Sequence, residues 1–208
     1  MSEIFTSIMS MGAWEAFATV LALAYVVLAA KGNMWCWPAA LISTAIYSVI
    51  FFDVSLLMES LLNVYYMAMA LVGWFRWQLA KKRTAQDQQK ENIALPIVSW
   101  PFKNHLIGFV ILVPIALFLG YFMDSNTQAD FAYLDTFTTV FAVYTTYLVA
   151  IRVLENWLYW IVINAVSIYL YLNKDLMFLT ALMFAYTVLA IWGYYTWSKQ
   201  HKLQKATC

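Results

Sequence analysis

The motif GWFRW at 73–77 recurs 120 residues later as GYYTW at 193–197, in each case at the end of a long apolar stretch. When 13–80 is aligned with 133–200 without a gap, 14 of the 68 positions are identical. A shared apolar composition produces several such matches, but the repeated Gly-x-x-x-Trp pattern is harder to obtain by chance. The chain is therefore predicted to contain two copies of one structural unit.

Composition predicts that these units lie in a membrane. Of the 208 residues, 64% are hydrophobic and only 11% are charged, whereas soluble domains are about 25% charged. A soluble enzyme, a nucleic-acid-binding protein and a disulfide-stapled secreted domain are thereby excluded. Cys36 and Cys208 show no metal-ligand spacing, so no metal site and no cofactor is predicted.

The predicted fold is an all-α polytopic membrane protein with one domain, 1–208. A spanning helix needs about 20 largely apolar residues, and seven stretches qualify: 13–30, 35–52, 55–77, 104–122, 132–151, 156–172 and 176–197. They are grouped as a first three-helix repeat, a cytoplasmic linker with one linking helix, and a second three-helix repeat: 13–79, 80–122 and 132–199. Because each repeat has an odd number of helices and one helix joins them, both repeats have the same orientation.

Orientation is predicted from the basic residues, which concentrate on the cytoplasmic side of membrane proteins. With the polar linker 80–103 inside, eleven of the twelve Lys and Arg residues lie inside and only Lys174 lies outside. The N-terminus is then outside and the C-terminus is cytoplasmic. The outer loops carry acidic residues that would mildly attract a cationic solute: Asp53, Asp124, Asp130 and Asp175.

Polar side chains inside the spans mark the candidate substrate site, because such groups usually face a cavity or one another. Glu59, Asn63 and Tyr66 share one face of the third helix, and Trp157, Trp160 and Asn164 share one face of the sixth. Four polar residues lie near the midpoints of their helices, two from each repeat: Thr44, Tyr66, Asn164 and Tyr186. A substrate site between repeats is expected at this depth.

Each of these residues also has a structural interpretation. Asn63 and Asn164 are also compatible with hydrogen bonds that join helices, and Trp157 with the aromatic belt at the membrane interface. Glu59 is close enough to the outer end of its helix to reach water there. Glu59 is also the only acid well inside a predicted span, so the sequence does not favour ion coupling.

Two other classes of membrane protein fit the sequence less well than a carrier does. A membrane enzyme would need clustered His, Asp or Glu residues at one interface for acid–base or metal chemistry, and the sequence shows none. An assembly subunit without a solute site would not place its polar stripes at one depth. A carrier is therefore the favoured class.

The run LENWLYWIVIN at 154–164, together with the two Gly-x-x-x-Trp motifs and the pair Asn63 and Tyr66, resembles the Pnu family of bacterial vitamin transporters. The resemblance extends from about Trp14 to Trp197. It implies a full-length SWEET-like fold of three, one and three helices in the bacterial inner membrane, assembled as a homotrimer. It also implies facilitated diffusion of an unphosphorylated vitamin that a cytoplasmic kinase then traps.

By the same resemblance, five residues would contact the substrate: Asn63, Tyr66, Trp157, Trp160 and Asn164. The PnuC-type branch implies nicotinamide riboside, and the PnuT-type branch keeps thiamine as the alternative. Both are aromatic cations suited to aromatic faces, whereas riboflavin is larger and neutral and gains less from such a site. No nucleic-acid partner is expected.

Overall fold

The computed structural model describes residues 12–53, 57–86, 96–126 and 131–206. Seven helices account for most of this part of the chain: α1 Ala13–Ala30, α2 Cys36–Asp53, α3 Leu57–Gln86, α4 Phe102–Asn126, α5 Ala132–Ala150, α6 Asn156–Asn173 and α7 Met177–Ala206. An isolated β-bridge joins Val98 to Val153. The all-α class predicted from the sequence is confirmed.

The structure extends two helices well beyond their predicted ends. The linker was predicted to begin at residue 80, but α3 continues to Gln86, and α7 continues from residue 197 to Ala206. Lys, Gln and Ala are good helix formers in water, so loss of hydrophobicity at the membrane surface does not end a helix. Residues 87–95, with Lys90, and the predicted outer-loop residue Asp130 lie outside the described residues.

Four of the seven helices are long and apolar enough to cross a membrane on those criteria alone: α1, α2, α4 and α7. Two of the remaining three, α3 and α6, carry amides that the sequence assigned to a site, Asn63 in α3 and Asn164 in α6. Polar residues that face the interior of a bundle lower the apolar content of these helices. The apolar helices support a multi-pass protein embedded in a membrane.

The helices pack as two similar groups. In the first group α1 contacts α2 and α2 contacts α3, and in the second α5 contacts α6 and α6 contacts α7. Between the groups, α1 contacts α7 and α3 contacts α5, while α4 packs on α5. If the two groups are exchanged, the contact between α1 and α7 becomes the contact between α5 and α3. Two equivalent repeats would produce this pattern.

A close contact between helices is duplicated in the two groups. A Cβ on Gly73 would lie 2.3 Å from the indole ring of Trp37, and a Cβ on Gly193 would lie 2.7 Å from the indole ring of Trp157. Only glycine permits this approach of a helix backbone to a ring. The two Gly-x-x-x-Trp motifs are thus points of close packing.

The tryptophan that ends each motif ties one group to the other. Trp77 Nε1 donates a hydrogen bond to the Ala150 carbonyl at 3.2 Å, and Trp197 Nε1 donates one to the Ala29 carbonyl at 3.0 Å. Both carbonyls belong to the last turn of a helix, where backbone acceptors lack helical partners. These bonds fix the ends of α5 and α1 against α3 and α7.

Charge separates the two ends of the bundle. The end at which α1, α3, α5 and α7 finish is called the basic end, because these C-terminal segments and the turn after α1 carry Lys31, Lys81, Lys82, Lys199, Lys202 and Lys205. Lys174, the exception, lies at the opposite end with its Nζ 3.6 Å from the Asp135 carboxylate. The charge of this lysine is therefore balanced locally.

Candidate functional site

A cavity of about 410 Å³ lies between the two groups of helices. Every helix except α4 contributes to its lining. Pockets of about 300–1,000 Å³ hold drug-sized ligands, so the cavity is large enough for a solute the size of a vitamin. The cavity thus forms where the two groups of helices face each other.

No residue that lines the cavity carries a formal charge among those the structure describes. The polar lining consists of hydroxyl groups, amides and indoles, and the remainder is apolar. Such a surface suits an aromatic solute with hydrogen-bonding substituents. A compact, strongly hydrated ion would find no opposite charge to replace its water.

Seven of the eight residues predicted for the site line this cavity: Thr44, Asn63, Tyr66, Trp157, Trp160, Asn164 and Tyr186. The exception is Glu59, which is exposed and absent from the lining. It lies in the first turn of α3, one turn closer to the end of the helix than Asn63. The carboxylate is therefore outside the cavity, as its alternative interpretation required.

Trp157 is a core residue. Its side chain is 3% exposed, and its ring makes an edge contact with Trp197 at a centroid distance of 5.4 Å. A residue of the membrane-interface belt would face lipid and water, so that interpretation of Trp157 is wrong. Trp160 is partly buried and lies one turn further along the same lining.

The two cavity amides differ in their hydrogen bonds. Asn63 Nδ2 donates to the Glu59 carbonyl of its own helix at 2.8 Å, which does not join α3 to another helix. Asn164 is 5% exposed, and its side chain forms no hydrogen bond with any described residue. Since buried amides are normally satisfied, the amide of Asn164 is available to a solute.

Sequence reasoning missed the cavity residues of α1 and part of α2. Tyr25 and Tyr47 line the cavity together with the predicted Tyr66 and Tyr186. The Tyr47 hydroxyl is hydrogen-bonded to the hydroxyl of Thr19 at 2.6 Å. A tyrosine in the middle of an otherwise aliphatic helix was the available signal, but tyrosine is also common in apolar cores.

A row of threonines on α5 was also missed. Thr138, Thr139 and Thr146 line the cavity. The hydroxyls of Thr138 and Thr146 donate to backbone carbonyls of their own helix at 2.8 Å. Each such hydroxyl keeps its acceptor lone pairs, so these threonines present hydrogen-bond acceptors to the cavity. Their spacing of seven or eight residues was the signal that sequence reasoning overlooked.

The first two residues of the ENWLYW motif, Glu155 and Asn156, have a structural role and do not line the cavity. The Glu155 carboxylate accepts hydrogen bonds from Ser99 Oγ at 2.6 Å and from the Trp100 backbone N–H at 3.1 Å. Asn156 Nδ2 donates to the Val153 carbonyl at 2.6 Å. The Glu155 bonds hold the segment 96–101, called the strap, against the turn between α5 and α6, and the Asn156 bond lies within that turn.

The chain is similar to known transporters. Residues 12–199 match the family model described as nicotinamide mononucleotide transporter. The nicotinamide riboside transporter PnuC of Escherichia coli K12 is 25% identical over 203 residues, covering 88% of this chain and 84% of that protein. PnuC of Haemophilus influenzae is 23% identical and covers 95% and 85% respectively.

A solved structure has the same fold. The crystal structure of the vitamin B3 transporter PnuC matches with a TM-score of 0.72 and 23% identity, over 91% of this chain and 82% of that one. Neither the relatives described above nor this structure is named for thiamine, so the alternative substrate finds no support.

Proposed function

The chain belongs to the nicotinamide mononucleotide transporter family, and we propose that it carries nicotinamide riboside across the bacterial inner membrane by facilitated diffusion. The members of this family and its named relatives are transporters and not enzymes. The choice of substrate rests on the cavity between the two groups of helices, which is uncharged and lined by aromatic rings and amides. The identity of the substrate as nicotinamide riboside is inferred from the names of the relatives.

The cavity favours the riboside over its phosphate ester. A phosphate monoester carries a charge of about −1.5 to −2 at neutral pH. The described lining offers no Lys, Arg or His to pair with it, and a buried anion without a partner is costly. Ribose hydroxyls and a carboxamide, by contrast, match the free amide of Asn164 and the tyrosine hydroxyls of the lining.

The aromatic lining suits the positive charge of the nicotinamide ring. A cation over an aromatic face gains about 0.5–1 kcal/mol at exposed sites and about 2 kcal/mol or more when it is desolvated. Trp160 and Trp157 lie on α6, and Tyr66 and Tyr186 lie on α3 and α7. These rings come from both groups of helices, so an aromatic solute can contact both at once.

The lining also supports carriage without ion coupling. Coupled carriers use carboxylates within the membrane as proton or sodium relays, and the described lining contains none. Net uptake then needs removal of the free solute on the inner side, and phosphorylation by a cytoplasmic kinase would remove it. The phosphorylated product would not fit the uncharged cavity and would stay inside.

The orientation and assembly are part of the proposal. The basic end is placed in the cytoplasm, because Lys and Arg concentrate there and Lys174 is paired with Asp135 at the other end. Most of the surface of α4 is exposed and apolar, with Phe102, Val110 and Phe118 among its exposed residues, which suits lipid and neighbouring copies in a homotrimer. Native mass spectrometry in detergent would show the trimer.

Calorimetric titration of the purified protein tests the substrate. We expect nicotinamide riboside to bind, and nicotinamide mononucleotide and thiamine to bind at least about tenfold more weakly. Equal affinity for the riboside and the mononucleotide would contradict the selection argued from the uncharged lining. An Asn164→Ala variant provides the control that any binding occurs in this cavity.

A further inference from the structure

Arg152 is the only charged side chain buried in the described part of the chain. It is 4% exposed, and none of its three guanidinium nitrogens has a hydrogen-bond partner. No described carboxylate lies within ion-pair distance of it. A buried cation is normally paired, so the position of Arg152 requires an explanation.

The guanidinium is held between two tryptophans that belong to different groups of helices. Its central carbon lies 4.5 Å from the ring centroid of Trp77 on α3 and 4.9 Å from that of Trp197 on α7. Stacking on aromatic faces is a typical use of arginine. Arg152 therefore contacts both groups through one planar side chain.

These tryptophans lie directly behind the cavity. Trp77 makes an edge contact with Trp37 at 5.3 Å, and Trp197 makes one with Trp157 at 5.4 Å. Trp37 and Trp157 line the cavity, whereas Trp77, Trp197 and Arg152 do not. The four tryptophans and Arg152 are called the plug, and they close the cavity towards the basic end.

The backbone at Arg152 has an unfavourable conformation for a residue with a side chain. Its φ is 60°, and Gly32, the aligned residue of the first repeat, has φ 68°. The two turns have equivalent hydrogen bonds: the Gly32 N–H donates to the Ala29 carbonyl, and the Arg152 N–H donates to the Val149 carbonyl. Left-handed conformations disfavour residues other than glycine, and strain of this kind is typical of functional positions.

The missing side chain of Gly32 makes room for the guanidinium. A Cβ on Gly32 would lie 3.1 Å from Arg152 Nη2. The chain thus has the unstrained residue at one of two equivalent turns and a strained arginine at the other. A side chain at position 32 would therefore crowd the guanidinium.

The strap fixes the backbone of Arg152 to the second group. The Val98 N–H donates to the Arg152 carbonyl at 3.0 Å, and the Leu154 N–H donates to the Val98 carbonyl at 2.8 Å. Ile97, the preceding strap residue, accepts a hydrogen bond from His201 Nδ1 on α7 at 2.9 Å. The base of the side chain is thus held while its guanidinium reaches across to Trp77.

We propose that Arg152 is a positioning residue for transport, a latch that holds the two groups of helices together at the basic end while the cavity is closed there. Separation of Trp77 from Trp197 would break the contact of the guanidinium with at least one of the two rings, and the loss of that contact opposes opening. Burial lowers the pKa of the Arg152 guanidinium to about 10, so the side chain is charged at neutral pH. This inference rests on the proposed carrier function only in taking that separation as a step of transport.

Cys36 provides a reporter within the protein for the opening of the plug. Its side chain is 0% exposed, and it belongs to the same buried cluster as the four tryptophans. A Cys208→Ser background leaves it as the only cysteine. The rate at which N-ethylmaleimide modifies Cys36 in vesicles, followed by mass spectrometry of its peptide, then reports how often the plug opens.

We expect Arg152→Met to raise this rate at least about fivefold and Arg152→Lys to raise it by less. A neighbouring cation promotes thiolate formation, so removal of Arg152 would by itself slow the reaction, and a faster rate must come from opening. The matched control is Arg76→Met, which removes an exposed arginine beside Trp77 and should leave the rate unchanged. Riboside affinity should stay within about twofold in every variant, because neither arginine lines the cavity.

Three results would overturn the latch. They are an unchanged rate in both Arg152 variants, an equal increase in Arg76→Met, and a faster rate accompanied by a matching loss of riboside affinity and a lower melting temperature. If Arg152→Met does not fold, Arg152→Lys decides alone, and a rate equal to that of the Cys208→Ser parent rejects the proposal. Absence of riboside binding in the parent protein would instead reject the proposed function and leave the alkylation comparison intact.

Discussion

The indole ring of Trp157 lies against the backbone of Gly193 so closely that a Cβ there would stand 2.7 Å from three of its atoms. The same contact joins Trp37 to Gly73. In each pair a helix backbone packs against a tryptophan ring, and both rings line the floor of the cavity. Packing and substrate site therefore share residues, and a change at the glycine is transmitted to the lining.

Gly193→Ala should destabilise the protein and weaken substrate binding, because the new methyl group displaces Trp157 from the cavity floor. Overpacking of this kind costs about 1–3 kcal/mol, or several degrees in melting temperature for a chain of this length. Melting followed by tryptophan fluorescence and calorimetric titration would measure the two effects. The control is Gly12→Ala, where a Cβ meets nothing within 4 Å, and an equal loss of stability there would contradict the argument.

Asn164→Ala should lower substrate affinity and leave the melting temperature unchanged. Its amide has no hydrogen-bond partner among the described residues, so the substitution removes an interaction with the solute and none with the protein. Loss of about 1–2 kcal/mol corresponds to roughly a 5- to 30-fold weaker affinity. Calorimetric titration and thermal melting on one preparation would measure both.

The matched control is Asn156→Ala on the same helix. Asn156 is fully buried, donates to the Val153 carbonyl and does not line the cavity. Its substitution should lower the melting temperature and leave affinity unchanged. The opposite result, in which Asn164→Ala lowers the melting temperature and Asn156→Ala lowers the affinity, would show that Asn164 joins helices and does not bind the substrate.

Trp160→Leu should weaken binding by about 0.5–2 kcal/mol through loss of the aromatic face, and Trp160→Phe should retain part of that energy. Leucine keeps apolar contact with the partly buried surroundings of Trp160, so the difference between the two variants isolates the aromatic contribution. Calorimetry is the appropriate measurement, because the ten tryptophans of the chain make fluorescence quenching ambiguous. Equal affinity of the wild type and Trp160→Leu for the substrate would show that the Trp160 ring does not contact it.

Glu155→Ala should loosen the strap and leave substrate affinity unchanged. The carboxylate accepts hydrogen bonds from Ser99 and from the Trp100 backbone, and nothing else described replaces it. Hydrogen–deuterium exchange of the backbone amides at 97–100 should become at least about tenfold faster. Exchange identical to that of the wild type would show that the strap is held without Glu155, by its backbone bonds to Arg152 and Leu154 and by the bond from His201 to Ile97.

Helix positions could be predicted from the sequence because apolar stretches of about 20 residues are unambiguous in membrane proteins. The bounds of α1 agree to the residue. The ends of α3 and α7 could not be predicted in this way, because Lys81 and Lys199 continue a helix in water that hydrophobicity no longer marks. Helix propensity, and not membrane thickness, sets those ends.

The candidate site could be predicted in part, because amides at mid-depth such as Asn63 and Asn164 are rare and costly unless they face a cavity. The residues that were missed, Tyr25 among them, are ordinary in apolar helices and become part of a lining only through packing between the two groups. Glu59 was included on helical spacing alone, which fixes the face of a helix but not where the cavity ends.

Counterflow of labelled nicotinamide riboside into vesicles that contain the purified protein tests the central claim most directly. With unlabelled riboside inside and no proton, sodium or electrical gradient, the label should accumulate transiently and then equilibrate, whereas nicotinamide mononucleotide inside should support no such accumulation. Movement of the label only when an ion gradient is imposed, or equal counterflow against the mononucleotide, would contradict an uncoupled carrier with an uncharged cavity.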